Sequence, residues 1–193
     1  MGPEGLPRVC YTEDMPSIPE DVVGVLKAFG FEVDHFWKNS AAWREIDAHP
    51  EQYAALIVDN DTGDKFSGLE LIERTISHPG VRDRLARGEL LIIVLSSSNS
   101  ELFETERAVG LREEHGVQLC WKPDTCYLQA EYLRHRLDTG QPVSFADWVQ
   151  ETRGLDLSSE GDQQKILKEN IRLYSHVWEG FRYEGSVSRG KER

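Results

Sequence analysis

Residues 89–98 read ELLIIVLSSS, the most continuous apolar run in the chain. An alternating strand can leave one face in water, but a strand apolar at every position must be covered on both faces. Such a strand belongs in the middle of a parallel sheet with helices on either side. The neighbouring sequence agrees. RVCYT (8–12), FEVDHF (31–36), AALIVD (54–59) and VQLCW (117–121) read as further short strands. Between them, PEDVVGVLKAFG carries Val22, Val23, Leu26 and Phe29 at helical spacing before Gly30. A short helix opens near Ser40 with Trp43 and Ile46 inward, and another runs through GLELIERTISHP to the proline at 79. ELFETERAVGLREEHG and TCYLQAEYLRHRLDTG complete the set, stopped by Gly116 and Gly140. Five strands separated by five helices predict an α/β, doubly wound, five-stranded parallel sheet, because right-handed crossovers put a helix on one face or the other.

In folds of this kind, ligands sit at the carboxyl ends of the strands, and those ends are chemically loaded. The first strand runs into Glu13-Asp14, the third ends at Asp59, the fourth at Ser96, and the fifth at Lys122 followed by Pro123. Three carboxylates gathered at one edge repel one another, and a hard divalent cation such as Mg²⁺ relieves that repulsion. Ser96 and Lys122 then supply a hydroxyl donor and a positive charge for the oxygens of a phosphoryl group.

The ordered set resembles the receiver domain of bacterial two-component response regulators, over roughly residues 8–138. GLELI (68–72) and KPDT (122–125) add to the resemblance. It implies a flavodoxin-like receiver fold in which Glu13 and Asp14 hold Mg²⁺ and Asp59 accepts a phosphoryl group from a histidine kinase or phosphotransfer protein. Ser96 would sense that group, Lys122 would neutralise it, and the backbone carbonyl of Asp61 would complete the metal shell. The sequence departs from the family pattern beside the site. The loop between Asp59 and Gly68 is about one residue longer and lacks the common Met-Pro step, GVRDRLARGE lengthens the passage into the fourth strand, and Leu119 stands where an aromatic switch residue is usual.

Two other readings compete. LIVDNDTGD also resembles motif I of haloacid dehalogenase-type phosphatases, with Asp59 as nucleophile and Asp61 as general acid and base. That reading leaves Glu13-Asp14 idle and lacks a later strand ending in an acidic metal pair. A receiver-shaped module that binds partners without phosphate is the other alternative.

Composition sets the outer bounds. At 193 residues the chain suits one domain with an appendage, divided here as a receiver domain at 1–140 and a helical C-terminal extension at 141–193. The net charge of -12 sits mostly in the first part, with 25 acidic and 14 basic side chains through Gly140 against 9 and 8 beyond it. Such a field disfavours nucleic acid as a partner. No apolar run has the length of a membrane span, no signal segment follows Met1, and three cysteines without metal or CxxC spacing fit a reducing cytoplasm. In the extension, QPVSFADWVQETRG reads as a helix capped by Ser144, with Phe145, Trp148 and Val149 on its apolar face. A longer helix over 159–183 then carries Leu167, Ile171, Tyr174, Trp178 and Phe181 at heptad spacing, fit either to dock on the chain's own domain or to form a homodimer. The expected output is contact with a downstream protein.

Overall fold

The computed structural model describes residues 5–15, 19–96, 104–121, 126–159, 161–162, 164–166 and 168. Five strands, β1 (Arg8–Thr12), β2 (Glu32–Phe36), β3 (Ala55–Asp59), β4 (Leu91–Ser96) and β5 (Gln118–Trp121), form one sheet in the order β2-β1-β3-β4-β5, with every pairing parallel. The expected doubly wound sheet is present. Strand periodicity divides its side chains between two cores. Val9, Tyr11, Ala55, Ile57, Leu91, Ile93 and Leu95 face one way, and Cys10, Leu56, Val58, Ile92 and Val94 the other.

The first face is covered by α1 (Pro19–Ala28), α6 (Cys126–Thr139) and α7 (Phe145–Arg153); the second by α2 (Asn39–Ala48), α3 (Gly68–Ser77), α4 (Pro79–Ala86) and α5 (Glu106–His115). On α1 the buried side chains are Val22, Val25 and Leu26, while Val23 and Phe29 lie at the margin of the cluster. β4 is buried at all of its positions, as its continuous apolar run requires. The thiols of Cys10 and Cys120 are buried, and loss of hydration pushes both upward, Cys120 to about 12, so neither is a ready thiolate.

The structure corrects the reading of Pro79. It ends α3, but it also starts α4, so GVRDRLARGE holds a helix rather than a plain lengthened passage. Proline suits this place because the first turn of a helix has no acceptor for its N–H and needs the φ that the ring already fixes. Val81 buries α4 against the second core. From the same helix Arg84, half-buried, donates to Pro50 O at 2.7 Å, Tyr53 O at 2.6 Å and Glu89 O at 3.2 Å, tying together the turns that lead into β3 and β4. Burial lowers its pKa from the usual arginine value, against the raising influence of Glu89 and Glu51. Arg84→Ala strands three carbonyls at once and is expected to cost about 2 kcal/mol of stability, read as a lower urea midpoint at unchanged slope.

Past Gly140, α7 is where the local signals put it. Ser144 Oγ accepts from Asp147 N, and Gly154 closes the helix in the left-handed region at φ 65°. Phe145, Trp148 and Val149 pack in the same cluster as β1, β3 and β4, joined by Ile166. All five residues of the heptad seam proposed over 159–183, Leu167, Ile171, Tyr174, Trp178 and Phe181, lie outside the described residues. Among the described residues no helix is long and apolar enough to cross a membrane.

Candidate functional site

β1 and β3 are adjacent, and their register sets Thr12 beside Val58. The chain beyond Thr12 therefore emerges next to Asp59, and Glu13 follows Thr12 directly. Thr12 fixes this junction: its Oγ1 accepts from Asp59 N at 2.9 Å, both residues being buried. The structure brings the three predicted carboxylates together. One oxygen from each of Glu13, Asp14 and Asp59 lies within 4.8 Å of the others. Glu13 is 0% exposed and Asp59 3% exposed, while Asp14 is half-buried. Carboxylates held this close in low dielectric repel each other, and hard oxygen donors at this spacing suit a small divalent cation, so the residues fit the Mg²⁺ expected from the sequence.

Partners hold Glu13 in place. Oε1 accepts from Met15 N at 3.1 Å and Oε2 from Tyr11 Oη at 3.4 Å, while Glu13 O accepts from His35 Nε2 at 2.9 Å, which requires that nitrogen to carry the proton. Asp59 Oδ1 accepts from Asp61 N at 3.2 Å. The Asp61 side chain itself is exposed and accepts from Gly63 N at 3.2 Å, outside the acidic cluster. Only its backbone stays beside Asp59. Ser96 ends β4 buried, one position beyond Leu95, the register partner of Asp59, and it pairs with Trp121 at the end of β5. Lys122, which follows Trp121, lies outside the described residues. Leu119 is half-buried against the second core.

The loop 60–67 folds back over this end of the sheet. Gly63, at φ 57°, passes close enough that a Cβ there would stand 3.4 Å from Asp14 Oδ2. Gly68 N donates to Asn60 O at 2.9 Å, and Ser67 and Glu70 form a capping box that starts α3. Asp64 is pinned as well. Although burial alone would raise its pKa, bonds from Ser40 and Lys65 N and the nearby Lys38 charge hold it below the usual carboxylate range. Its contribution is therefore present above the ordinary carboxylate pKa and fades as pH falls through the lowered value. Sequence reasoning missed Thr12, Asn39 and Thr62, whose polar atoms grip this loop and Asp59. Thr12 shows only as a polar residue ending an apolar strand, and Asn39 and Thr62 sit among other polar residues, so nothing local reveals partners tens of residues away.

No protein-family model matches the chain, and no curated protein does. Solved structures do. A sensor protein from Polaromonas sp. JS666 is 25% identical, covering 70% of this chain and 98% of its own, with a TM-score of 0.55. The CheY-like response regulator receiver domain protein from Methanospirillum hungatei JF-1 matches with 18% identity, 69% and 95% coverage and a TM-score of 0.55. The Vibrio cholerae chemotaxis protein CheY4 matches with 15% identity, 68% and 98% coverage and a TM-score of 0.52. The chain has the flavodoxin-like fold of CheY-like receiver domains over about 70% of its length, and its C-terminal part is unmatched.

Proposed function

We propose that the protein is a response regulator that accepts a phosphoryl group on Asp59 from a histidine kinase or phosphotransfer protein and passes the signal on by protein contact. The observation that carries this reading is the meeting of Glu13, Asp14 and Asp59 within 4.8 Å at the carboxyl end of the sheet. Glu13, Asp14, Asp59 and the backbone carbonyl of Asp61 would hold Mg²⁺. When bound, that ion supplies positive charge against the negative charge of the phosphoryl oxygens.

On this reading the protein's own groups carry the following steps. A carboxylate oxygen of Asp59 attacks phosphorus in line, the P–N bond of a phosphohistidine breaks, and the imidazole leaves with a proton in place of the phosphoryl group. The product is an aspartyl phosphate, and attack by water at phosphorus returns the carboxylate and inorganic phosphate. Ser96 would donate its hydroxyl to a phosphoryl oxygen and Lys122 would balance the charge. The added charge of about -1.5 to -2 would shift the surface around β4 and β5. Met15 and Trp37, 52% and 51% exposed, follow β1 and β2 at the same end of the sheet and offer an incoming donor an apolar rim. The division at residue 140 into receiver and extension, and a cytoplasmic location, belong to the same proposal.

Incubation with acetyl phosphate and Mg²⁺ tests it. Intact mass should show one added phosphoryl group on the wild type, lost with hydroxylamine as an acyl phosphate is, and none on Asp59→Asn. No adduct on either would favour a phosphate-independent interaction module. Continuous hydrolysis of a simple phosphate ester, abolished by Asp61→Asn, would favour a phosphatase. The exposed Asp61 carboxylate, turned to Gly63 N, speaks against that outcome.

A further inference from the structure

Helix α2 is capped by another part of the chain. Lys38 stands at its N-cap and makes no side-chain capping bond, so the first amides need acceptors from elsewhere. The loop 60–67 provides them. Asn39 N donates to Thr62 Oγ1 at 3.3 Å and Ser40 N donates to Asp64 Oδ2 at 2.6 Å. The Asn39 side chain reaches back across the same junction, and its Nδ2 donates to Asp59 O at 3.1 Å and to Phe66 O at 3.2 Å. One buried amide thus holds the residue at the start of the loop and a residue near its end.

The chemistry fixes which way this amide points. Reversed, it would set its oxygen against two carbonyl oxygens. As placed, Oδ1 is buried without a hydrogen-bond partner among the described residues, an unfavourable arrangement. An apolar side chain of similar size would escape that penalty, but it could not hold Asp59 O and Phe66 O. Thr62 is equally committed, with its side chain buried where the residues on either side, Asp61 and Gly63, are exposed.

We infer that Asn39 and Thr62 are positioning residues for phosphoryl acceptance at Asp59, and that the amino end of α2 sets the metal affinity and phosphorylation rate of the site. The inference rests on the phosphorylation proposed above. Neither residue is asked to touch the phosphoryl group; both act through the main chain. Asn39 fixes the Asp59 carbonyl, and Thr62 fixes the loop just after Asp61, whose N–H bonds the Asp59 carboxylate. Freeing either contact lets the Asp59–Asp61 segment tilt, which moves both the acceptor oxygen and the carbonyl expected to face the cation.

The test compares Asn39→Ala, Thr62→Val and Thr62→Ser with the wild type by calorimetric titration with Mg²⁺ alone and by the rate of adduct formation from acetyl phosphate. Asn39→Ala and Thr62→Val should each weaken Mg²⁺ binding and slow the adduct by about tenfold, and Thr62→Ser, which keeps the hydroxyl, should stay near the wild type. Arg84→Ala, at the opposite end of the sheet, is the control for lost stability alone. It should melt earlier with unchanged Mg²⁺ affinity and rate. If Asn39→Ala fails to fold, the Thr62 pair decides. Wild-type values in Thr62→Val, or an equal loss in Arg84→Ala, overturn this inference and leave the proposed function standing. A wild type that neither binds Mg²⁺ nor takes the adduct overturns both.

Discussion

Gly68→Ala is expected to lower the free energy of unfolding by about 2 kcal/mol and, in the protein that still folds, to weaken the Mg²⁺ binding proposed for the acidic cluster. The backbone of Gly68 is not in a left-handed conformation; the requirement is space. A Cβ there would stand 2.7 Å from Asn60 Cα, 2.7 Å from Asp59 O and 3.0 Å from Val58 Cγ1. Two of these three neighbours are main chain and cannot rotate away. Either α3 retreats or the Asp59–Asn60 peptide moves. Leu71 and Ile72 are fully buried on α3, so retreat would open the second core, and the peptide is the softer party. Its displacement strains the Asn39 Nδ2 bond to Asp59 O and the Gly68 N bond to Asn60 O.

Urea denaturation and a Mg²⁺ titration on the same preparation read both effects. Gly110→Ala supplies the contrast. Gly110 lies inside α5 with nothing within 4 Å of a built Cβ, so alanine there should stabilise by about 0.5–1 kcal/mol through helix propensity. Wild-type stability and Mg²⁺ affinity in Gly68→Ala would refute the close approach. The same substitution thus takes opposite signs at two helical glycines, decided by what a single carbon would meet.

What the sequence revealed depended on the range of the interaction. The sheet was legible because apolar runs and alternation are local, and the site edge was legible because parallel strands deliver Glu13, Asp14, Asp59 and Ser96 to one end. The cap at Ser144 was legible for the same reason, its acceptor lying only three residues before Asp147 N. Helix α4 was missed because a proline both stops one helix and starts the next, and only burial of Val81 tells the two apart. The hold of Asn39 on Asp59 and Phe66 was out of reach, since it joins residues 20 and 27 positions apart through main-chain carbonyls that every residue possesses. Lys122 and all five residues of the 159–183 seam lie outside the described residues, so their roles stand as sequence expectations.

Trp148→Ala is expected to lower the stability of the whole folded unit by about 3–5 kcal/mol, in one transition rather than two. The indole is 3% exposed and lies between α7 and the sheet, 5.7 Å from the Tyr132 ring and stacked near Phe145 at 6.4 Å. Tyr132 Oη in turn donates to Val143 O at 2.9 Å, and Arg136 Nη1 donates to the same carbonyl at 2.7 Å, so the turn into α7 is bonded to α6 as well as packed on it. The hydrophobic cluster therefore runs straight across the boundary proposed at residue 140. Trp148→Phe isolates the cause of the loss. The Trp148 Nε1 is buried without an acceptor among the described residues, so phenylalanine keeps most of the apolar contact, removes an unsatisfied donor and should cost under about 1.5 kcal/mol. Calorimetry of the full chain separates the possibilities. A small early transition in Trp148→Ala, with the main one unmoved, would mean that α7 melts by itself. A single transition shifted downward means that the segment after Gly140 is part of what keeps β4 and β5 in place, and so would feel the change there that the proposed phosphorylation of Asp59 entails.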